Sequence, residues 1–330
     1  MNSLLVGHGS VGKRHFELLK TFADHIAIVE PLNLDLYEKN LNINIFKSLE
    51  EFLMSIDEQN RKHWLSALVV IANWGPDHFM IYEKLKNFGF NNFLIEKPIV
   101  SKLCELEIIA GDIDTKNIKV WSNFHLRYDS GISNLQKFAF ENNLGKIELF
   151  SVVGGAKCIS TNGIHWLDLF FELNPYEPEI YFADAINDLK NPRNENLAFL
   201  SGCLYVRCTN NSKFSLCFTN ESYSDASIEI FWSNHRCEIS SGKISIFEND
   251  MDRTLPFNRT NYFTKLIFED SLKGDGMLNL YSELLNSSES MNQVLKANFT
   301  ILKSLHNMGI NSNPSKFTTS ISNDFDWRIS

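Results

Sequence analysis

The stretch MNSLLVGHGSVGKRH, residues 1–15, decides how the fold is predicted, because it joins a short apolar run to three spaced glycines. Gly7, Gly9 and Gly12 have the spacing G-x-G-x-x-G, and a helical pattern of apolar residues follows at once. In a strand–turn–helix unit the first glycine allows a tight turn, the second lets the backbone approach a pyrophosphate, and the third lets the helix pack on the strand. The helix N-terminus would then bind the phosphates. The alternative is a glycine-rich turn that binds no ligand.

A second apolar run, residues 26–29, favours the dinucleotide interpretation because it ends in Glu30, eighteen positions after Gly12. A dinucleotide fold places there the carboxylate that accepts hydrogen bonds from the adenosine ribose. Residues 31–33 contain no arginine for a 2′-phosphate, and Glu30 would repel one, so the pattern predicts NAD rather than NADP. The alternative for Glu30 is an ordinary solvated acid. The turn residues predicted to bind the cofactor are Gly7, His8, Gly9, Ser10, Val11 and Gly12.

Composition limits the class of protein. The 330 residues are 44% hydrophobic, which suffices for two domain cores. A formal net charge of −9 argues against nucleic acid as the main partner. No basic leader region precedes the first strand and no apolar run has membrane-spanning length, so we expect no membrane partner. The six cysteines form no C-x-x-C pair, which predicts buried free thiols in a reducing cytoplasm and no metal site.

Strands and helices alternate over residues 1–123. The uninterrupted apolar run at residues 67–72 is typical of a central parallel strand that is covered on both faces. The alternation predicts an α/β Rossmann domain with a doubly wound parallel sheet, which binds ligands at the carboxyl ends of its strands. Five polar or glycine positions fall at such ends and predict a single cleft: Gly7, Glu30, Asn73, Lys97 and Asn123.

The pattern changes after Asn123. Long alternating, aromatic-rich runs predict a large open, mostly antiparallel sheet, with a hairpin turn at Asn210 and Asn211. One helix, over residues 163–173, interrupts these runs, and a last amphipathic helix is expected over about residues 289–307. The predicted domains are therefore 1–123, which binds NAD, and 124–330, an α+β domain for substrate and oligomerisation. The cleft is expected between them, and the last helix to pack back at their junction.

Two polar segments could carry chemistry. Lys97, between Glu96 and Pro98, follows a buried strand and could hydrogen-bond a substrate hydroxyl and stabilise the alkoxide formed as hydride leaves. The alternative is a lysine that only pairs with Glu96. His165 and Asp168 lie three apart on one helix face, where the imidazole could act as general acid and base. Asp168 could orient it or bind substrate, and the alternative is a packing histidine.

These motifs together resemble the glucose-fructose oxidoreductase and inositol dehydrogenase (Gfo/Idh/MocA) family. The resemblance covers the whole chain and rests on four motifs in order: G-x-G-x-x-G-x-R-H at residues 7–15, the segment 73–78, Glu96-Lys97-Pro98, and G-x-H-x-x-D at residues 163–168. It implies NAD(P)-dependent oxidation or reduction at a sugar or cyclitol carbon, with Lys97 contacting the reacting hydroxyl and His165 as catalytic histidine. It also implies a homodimer or homotetramer through the C-terminal sheet. The other cofactor contacts that it implies are Asn73, Trp74, His78, Glu96 and Lys97.

The chain departs from this family at Thr161, where many members carry an aspartate four residues before the histidine. Threonine cannot accept a proton as a carboxylate does, so three hypotheses stay open. The first is an NAD-dependent sugar or nucleotide-sugar dehydrogenase with a place in surface-polysaccharide assembly. The others are a dinucleotide-binding sensor without turnover and an enzyme that recycles tightly held NAD. Candidate substrate-binding residues are Asn123, Arg127, Lys157, Thr161, Asn162 and Asp168. The tail after Gly309 holds Phe325 and Trp327, which predicts that it packs on the protein.

Overall fold

A computed structural model describes residues 1–32, 42–116, 118–186, 191, 195–219, 221–249, 263–286, 293–311 and 326–329. The chain divides into two compact units. The first comprises Met1–Asn123, Tyr281–Leu295 and Asp326–Ser330, and the second comprises Phe124–Leu280 and Lys296–Phe325. Phe325 and residues 289–292 of the predicted last helix lie outside the described residues.

The first unit contains a six-stranded parallel sheet, as the alternating pattern predicts. Its strands are β1 (Asn2–Val6), β2 (His25–Val29), β3 (Asn42–Phe46), β4 (Leu68–Ile71), β5 (Asn92–Ile95) and β6 (Lys119–Ser122). Its helices are α1 (Ser10–Leu19), α2 (Leu49–Met54), α3 (Arg61–Leu65), α4 (His78–Phe88) and α5 (Leu103–Lys116). The spatial order β3-β2-β1-β4-β5-β6 reverses between β1 and β4, so the ligand crevice of such a sheet lies at the carboxyl ends of these two strands.

Local sequence explains the elements that frame this crevice. Every residue of β4 is buried, as expected for an uninterrupted apolar run in a central strand. Ser48 is the N-cap residue of α2, where its side chain accepts a hydrogen bond from the N–H of Glu51 at 3.1 Å. Gly89 ends α4 with a φ of +119°, a conformation that residues with a Cβ rarely adopt.

The second unit is built on an eight-stranded sheet that is mostly antiparallel, as predicted, with one parallel pair. Its strands are β7 (Leu149–Gly154), β8 (Pro178–Ile186), β9 (Ser201–Cys208), β10 (Lys213–Phe218), β11 (Ser227–Phe231), β12 (His235–Ser240), β13 (Lys243–Asn249) and β14 (Phe263–Ser271). They lie in the order β14-β13-β12-β11-β7-β10-β9-β8, and the parallel pair is β7 with β10. Asn211, with a φ of 66°, forms the predicted hairpin turn between β9 and β10. The sequence analysis did not identify β14.

Helices complete the second unit. Two of them are α6 (Ser130–Glu141) and α7 (Ile164–Leu173). α8 (Gly276–Asn286), which was not predicted from the sequence, continues into the first unit at Tyr281, and α9 (Gln293–Asn311) enters the second unit at Lys296. Alternation along β7 and β10 turns Phe150 and Phe214 inward, and Phe170 of α7 packs against both rings at centroid distances of 6.0 and 5.5 Å. Each such buried phenylalanine contributes about 1.5–3 kcal/mol through burial. This face of the sheet is therefore the core of the unit.

Two composition-based expectations can be compared with the described residues. All six cysteines are free thiols, and three are buried, but Cys203 is exposed because the alternation of β9 places it on the outward face. The expectation of uniformly buried thiols is wrong at this position. Among the described residues, no helix combines the length and hydrophobicity needed to cross a membrane.

Candidate active site

The glycine turn has the geometry that a dinucleotide site requires. Gly7 has a φ of +90°, and a Cβ there would lie 2.8 Å from the backbone nitrogen of Asn73. A Cβ on Gly12 would lie 2.1 Å from the carbonyl oxygen of Gly7, so the fold itself requires glycine at both positions. At Gly9, by contrast, no atom of the described residues that flank the turn comes within 4 Å of a Cβ. The open side of the turn is therefore at Gly9.

The N-terminus of α1 lies at this opening. Gly9 is its N-cap residue and has no side chain to accept from the first N–H groups of the helix. The first turn, which starts at Ser10 and Val11, contains no acidic residue. Such a helix end is favourable for an anion, because its free N–H groups and the helix dipole both stabilise negative charge.

Glu30 lies beside the same turn. Its Oε2 accepts a hydrogen bond from the backbone N–H of His8 at 2.8 Å, and its Oε1 accepts one from Leu32 at 3.2 Å. Each carboxylate oxygen keeps a further lone pair, so the group can still accept from ribose hydroxyls. The imidazole of His8 is buried edge-on against Phe16, and this burial, with Lys13 nearby, lowers its pKa. The backbone N–H of His8 thus binds Glu30, while its imidazole ring packs against Phe16.

Strand register brings the predicted site residues of this unit to one sheet edge. Val6 pairs with Val29 on one side and with Ile71 on the other. Ile95 pairs in turn with Ile71 and with Ser122. The residues that follow these strand ends are Gly7, Glu30, Ala72, Glu96 and Asn123. Lys97 and Asn73 are each one position further along, so the edge carries the glycine turn, the carboxylate of Glu30 and the candidate catalytic lysine.

The loop after β4 contains the other predicted cofactor residues. Trp74 is 53% exposed. His78 is buried, with Nδ1 3.0 Å from the carbonyl oxygen of Pro98 and Nε2 3.1 Å from that of Asn73. The sequence suggested His78 as a direct cofactor contact, but both ring nitrogens face backbone carbonyls. The structure therefore gives this ring a role in joining the loops that follow β4 and β5.

Glu96 is the centre of a buried hydrogen-bond network. Its Oε1 accepts from His15 Nε2 at 2.8 Å and from Asn123 Nδ2 at 2.7 Å, while its Oε2 accepts from the backbone N–H of Lys97 at 3.2 Å. Burial alone would raise the pKa of Glu96, but the hydrogen bond from His15, followed by the charges of His15 and Lys97, lowers it to about 2. The peptide bond from Lys97 to Pro98 is cis. Glu96 is therefore an ionised carboxylate that fixes the backbone at the lysine.

Two members of this network, His15 and Tyr281, were not predicted from the sequence. His15 was quoted in the first motif without a role, and Tyr281 was not considered at all. The Tyr281 hydroxyl lies 2.7 Å from His15 Nδ1, although the two residues are 266 positions apart. The signals in the sequence were a histidine at the end of the first motif and a glutamate at the end of a later strand. Neither of them indicated Tyr281.

In the second unit, His165 lies in the first turn of α7. A π-helical turn, Ile159–Gly163, precedes the helix and contains Thr161, and such turns are common at functional sites. Asn162 Oδ1 accepts from the backbone N–H of Cys158 at 3.2 Å, so this predicted substrate residue also shapes the turn. The His165 ring packs edge-on against His125, with 4.6 Å between centroids.

The remaining predicted substrate residues of the second unit form ion pairs. Both carboxylate oxygens of Asp168 accept from Arg127, at 3.0 Å from Nε and 2.6 Å from Nη2, and Arg127 Nη1 donates to Glu172 at 2.6 Å. Burial raises the pKa of Asp168 to about 6, against the opposing charge of Arg127. Asp168, which the spacing suggested as a partner of His165 or of substrate, thus has both oxygens paired with Arg127. Lys157 forms an ion pair with Asp225.

Comparisons with known proteins place the fold. No protein-family model matches the sequence, and no curated protein matches it. Among solved structures, UDP-N-acetylglucosamine 3-dehydrogenase GnnA from Acidithiobacillus ferrooxidans is similar, with 16% identity, a TM-score of 0.65, and coverage of 92% of this chain and 95% of that one.

Two further solved structures are similar over most of their length. A protein described as an NADPH-dependent oxidoreductase from Desulfitobacterium hafniense has 12% identity and a TM-score of 0.67, covering 93% of this chain and 96% of that chain. An NAD-binding protein from Listeria innocua has 14% identity and a TM-score of 0.63, covering 92% of each. The chain therefore shares its fold, a parallel sheet with a glycine turn followed by an eight-stranded sheet, with these solved structures over most of its length.

Proposed function

We propose that this protein is an NAD-dependent oxidoreductase that acts on a hydroxyl or keto carbon of a sugar, a nucleotide sugar or a cyclitol. The observation that carries the proposal is that the open glycine turn, Glu30 and Lys97 all follow strands that end at the same edge of the sheet. The similarity to a UDP-N-acetylglucosamine dehydrogenase supports a nucleotide sugar as the first substrate to test. A cytoplasmic location and a place in surface-polysaccharide assembly belong to the same proposal.

The residues at the edge fit a nicotinamide dinucleotide. The uncapped start of α1 and the open position at Gly9 would hold the pyrophosphate, and Glu30 would accept from the ribose hydroxyls. A carboxylate at this position would repel a 2′-phosphate, which favours NAD over NADP. When bound, the cofactor supplies hydride transfer at its nicotinamide ring.

Lys97 and His165 would supply proton transfer. A lysine ammonium can donate a hydrogen bond to the reacting oxygen and stabilise negative charge that develops on it. The carboxylate of Glu96 accepts a hydrogen bond from the Lys97 backbone N–H and so restrains the position of the Lys97 backbone from which the side chain extends. His165, at the start of α7, would act as general acid and base, because a histidine changes charge near neutral pH.

The test compares cofactor binding with turnover. We expect NAD and NADH to raise the melting temperature of the protein, and NADP to raise it less. Lys97→Ala should keep NADH binding and lose turnover by about 10²-fold or more across a panel of UDP-sugars, free sugars and cyclitols. Wild-type turnover in Lys97→Ala would contradict the proposed mechanism, and no binding of either cofactor would contradict the proposed function.

Thr161 supports a second candidate function. A threonine hydroxyl lies in the π-helical turn before His165, and it cannot take up a proton as a carboxylate can. A dinucleotide-binding sensor without turnover would keep the site of the first unit and need no proton acceptor here. Cofactor binding without a change in absorbance at 340 nm, the nicotinamide band of NADH, for any compound in the panel would favour this candidate.

We also propose that copies of the chain associate through the outward face of the eight-stranded sheet. Alternation along the strands leaves large apolar side chains exposed on this face, including Val153, Phe182 and Leu266. Exposed apolar patches of this kind are typical of association surfaces. The substitutions Val153→Glu and Phe182→Glu should lower the sedimentation-derived mass to that of a monomer, and an unchanged mass would contradict the proposed surface.

A further inference from the structure

We propose that Tyr281 and His15 are positioning residues for Lys97, which they reach through the carboxylate of Glu96. The inference rests on the proposed function, because it takes Lys97 as the group that contacts the reacting oxygen. It adds two residues from distant parts of the chain whose effect on the reaction is indirect.

The first step is the isolation of the network from water. The side chains of His15 and Tyr281 are fully buried and that of Glu96 is almost so. The distances from the Tyr281 hydroxyl to His15 Nδ1, and from His15 Nε2 to Glu96 Oε1, are 2.7 and 2.8 Å. A buried polar group that loses its partner has no water to replace it, so each link depends on the next.

The second step is the assignment of the protons. An ionised carboxylate can only accept, so the proton on the imidazole must be at Nε2, facing Glu96. In the neutral ring Nδ1 is then an acceptor, and the Tyr281 hydroxyl is placed to donate to it. Burial raises the pKa of Tyr281, so this hydroxyl keeps its proton. When the ring is neutral, the chain of hydrogen bonds therefore runs in one direction and fixes one tautomer of His15.

The third step is the effect on Lys97. The two carboxylate oxygens of Glu96 have different partners. Oε1 accepts from His15 and Asn123, while Oε2 accepts from the Lys97 backbone N–H. If His15 rotated or changed tautomer, Oε1 would lose a donor inside the protein. The carboxylate would then rotate or take up a proton, and the Lys97 backbone would lose its restraint. Among the described residues, the titratable side chains of His78, from the start of α4, and of Tyr281 also interact electrostatically with Glu96.

A purely structural role is the alternative. Tyr281 belongs to α8 and His15 to α1, so their hydrogen bond could serve only to join these two helices. That role predicts a lower melting temperature and no specific change at Lys97. The first unit offers a matched control, because the Tyr82 hydroxyl donates to Asp112 at 3.0 Å, and Tyr82 is equally buried.

The experiment compares Tyr281→Phe and His15→Phe with Tyr82→Phe, with and without NADH. In the wild type, proton–nitrogen NMR of the histidine side chains should show the Nε2–H tautomer for His15, and the amide of Lys97 should exchange slowly with solvent. Tyr281→Phe should weaken this tautomer preference and speed Lys97 amide exchange by about tenfold or more, whereas Tyr82→Phe should change neither.

Kinetics with an active substrate provide the second readout. Tyr281→Phe should lower kcat by about tenfold or more, shift the acid limb of the kcat–pH profile, and leave KM and the NADH affinity within about twofold. Equal effects of Tyr281→Phe and Tyr82→Phe on kcat, or unchanged Lys97 amide exchange, would overturn the inference. Absence of NADH binding and of turnover in the wild type would instead overturn the proposed function, while the NMR comparison would still decide the role of Tyr281.

Discussion

Glu96 in the first unit and Asp168 in the second are both buried carboxylates, and they are held in different ways. Glu96, in the first unit, accepts hydrogen bonds from His15 and Asn123, and the hydrogen bond from His15, with the charges of His15 and Lys97, lowers its pKa to about 2. Asp168, in the second, has both oxygens on Arg127, and burial still raises its pKa to about 6. Glu96 contacts the backbone of a candidate catalytic residue, whereas Asp168 completes a closed ion pair. Burial of a carboxylate alone therefore does not identify an active site, because the partners decide what the group can do.

The strongest test of this contrast removes Arg127. Arg127→Ala would leave Asp168 and Glu172 without their guanidinium, and Asp168 would be a buried charge without compensation. We expect the free energy of unfolding to fall by about 3–5 kcal/mol, measured by urea denaturation. The control Lys157→Ala breaks a more exposed ion pair and should cost less than about 1 kcal/mol. Similar losses in both variants would show that the Arg127 pair is not a structural element of the unit.

The counterpart in the first unit is a pH test on Glu96. A carboxyl whose pKa is lower in the folded than in the unfolded protein contributes stability above its ordinary pKa of about 4.5, and loses it as pH falls towards 2. The difference in unfolding free energy between wild type and Glu96→Gln should therefore be largest near pH 6, at most about 3 kcal/mol, and shrink between pH 4.5 and 3. A difference that stays constant over this range would contradict the lowered pKa.

The same contrast explains how much the sequence could predict. Parallel strands have a single carboxyl edge, so the apolar runs ending before Gly7, Glu30 and Glu96 also predicted which residues would be neighbours. In the second unit the sheet type and the hairpin at Asn211 were predictable from alternation. Which side chains would be neighbours in the second unit could not be predicted, because no rule like the shared carboxyl edge of parallel strands relates side chains from its separate elements.

Long-range pairing marks the limit of sequence reasoning here. Arg127 and Asp168 are 41 positions apart, and helical spacing placed Asp168 with His165 instead. Tyr281 and His15 are 266 positions apart, and no local pattern connects them. Spacing reports which side chains share a face of one element, but it does not report what lies opposite that face.

The glycine turn allows the cofactor role and the folding role to be separated within the first unit. Gly12→Ala would place a Cβ 2.1 Å from the Gly7 carbonyl oxygen and should cost about 1–3 kcal/mol of unfolding free energy. Gly9→Ala meets open space and should cost less than about 1 kcal/mol, yet narrow the site at the start of α1. Calorimetry should show NADH affinity at least tenfold weaker for Gly9→Ala. Unchanged affinity in this variant would show that the pyrophosphate does not approach Gly9.

The smallest expected effect concerns Trp74, which lies in the loop after β4 that packs beneath Gly7. Its side chain is 53% exposed, whereas the other tryptophans are buried or half-buried. An aromatic ring at this edge can stack on a cofactor ring for about 0.5–1.5 kcal/mol. NADH should therefore quench the fluorescence of Trp74, and Trp74→Phe should remove most of this quenching while weakening NADH affinity by less than about tenfold. Quenching that persists in Trp74→Phe would show that the cofactor does not bind against this loop. It would also contradict the placement of the cofactor at the sheet edge that carries Gly7, Glu30 and Lys97.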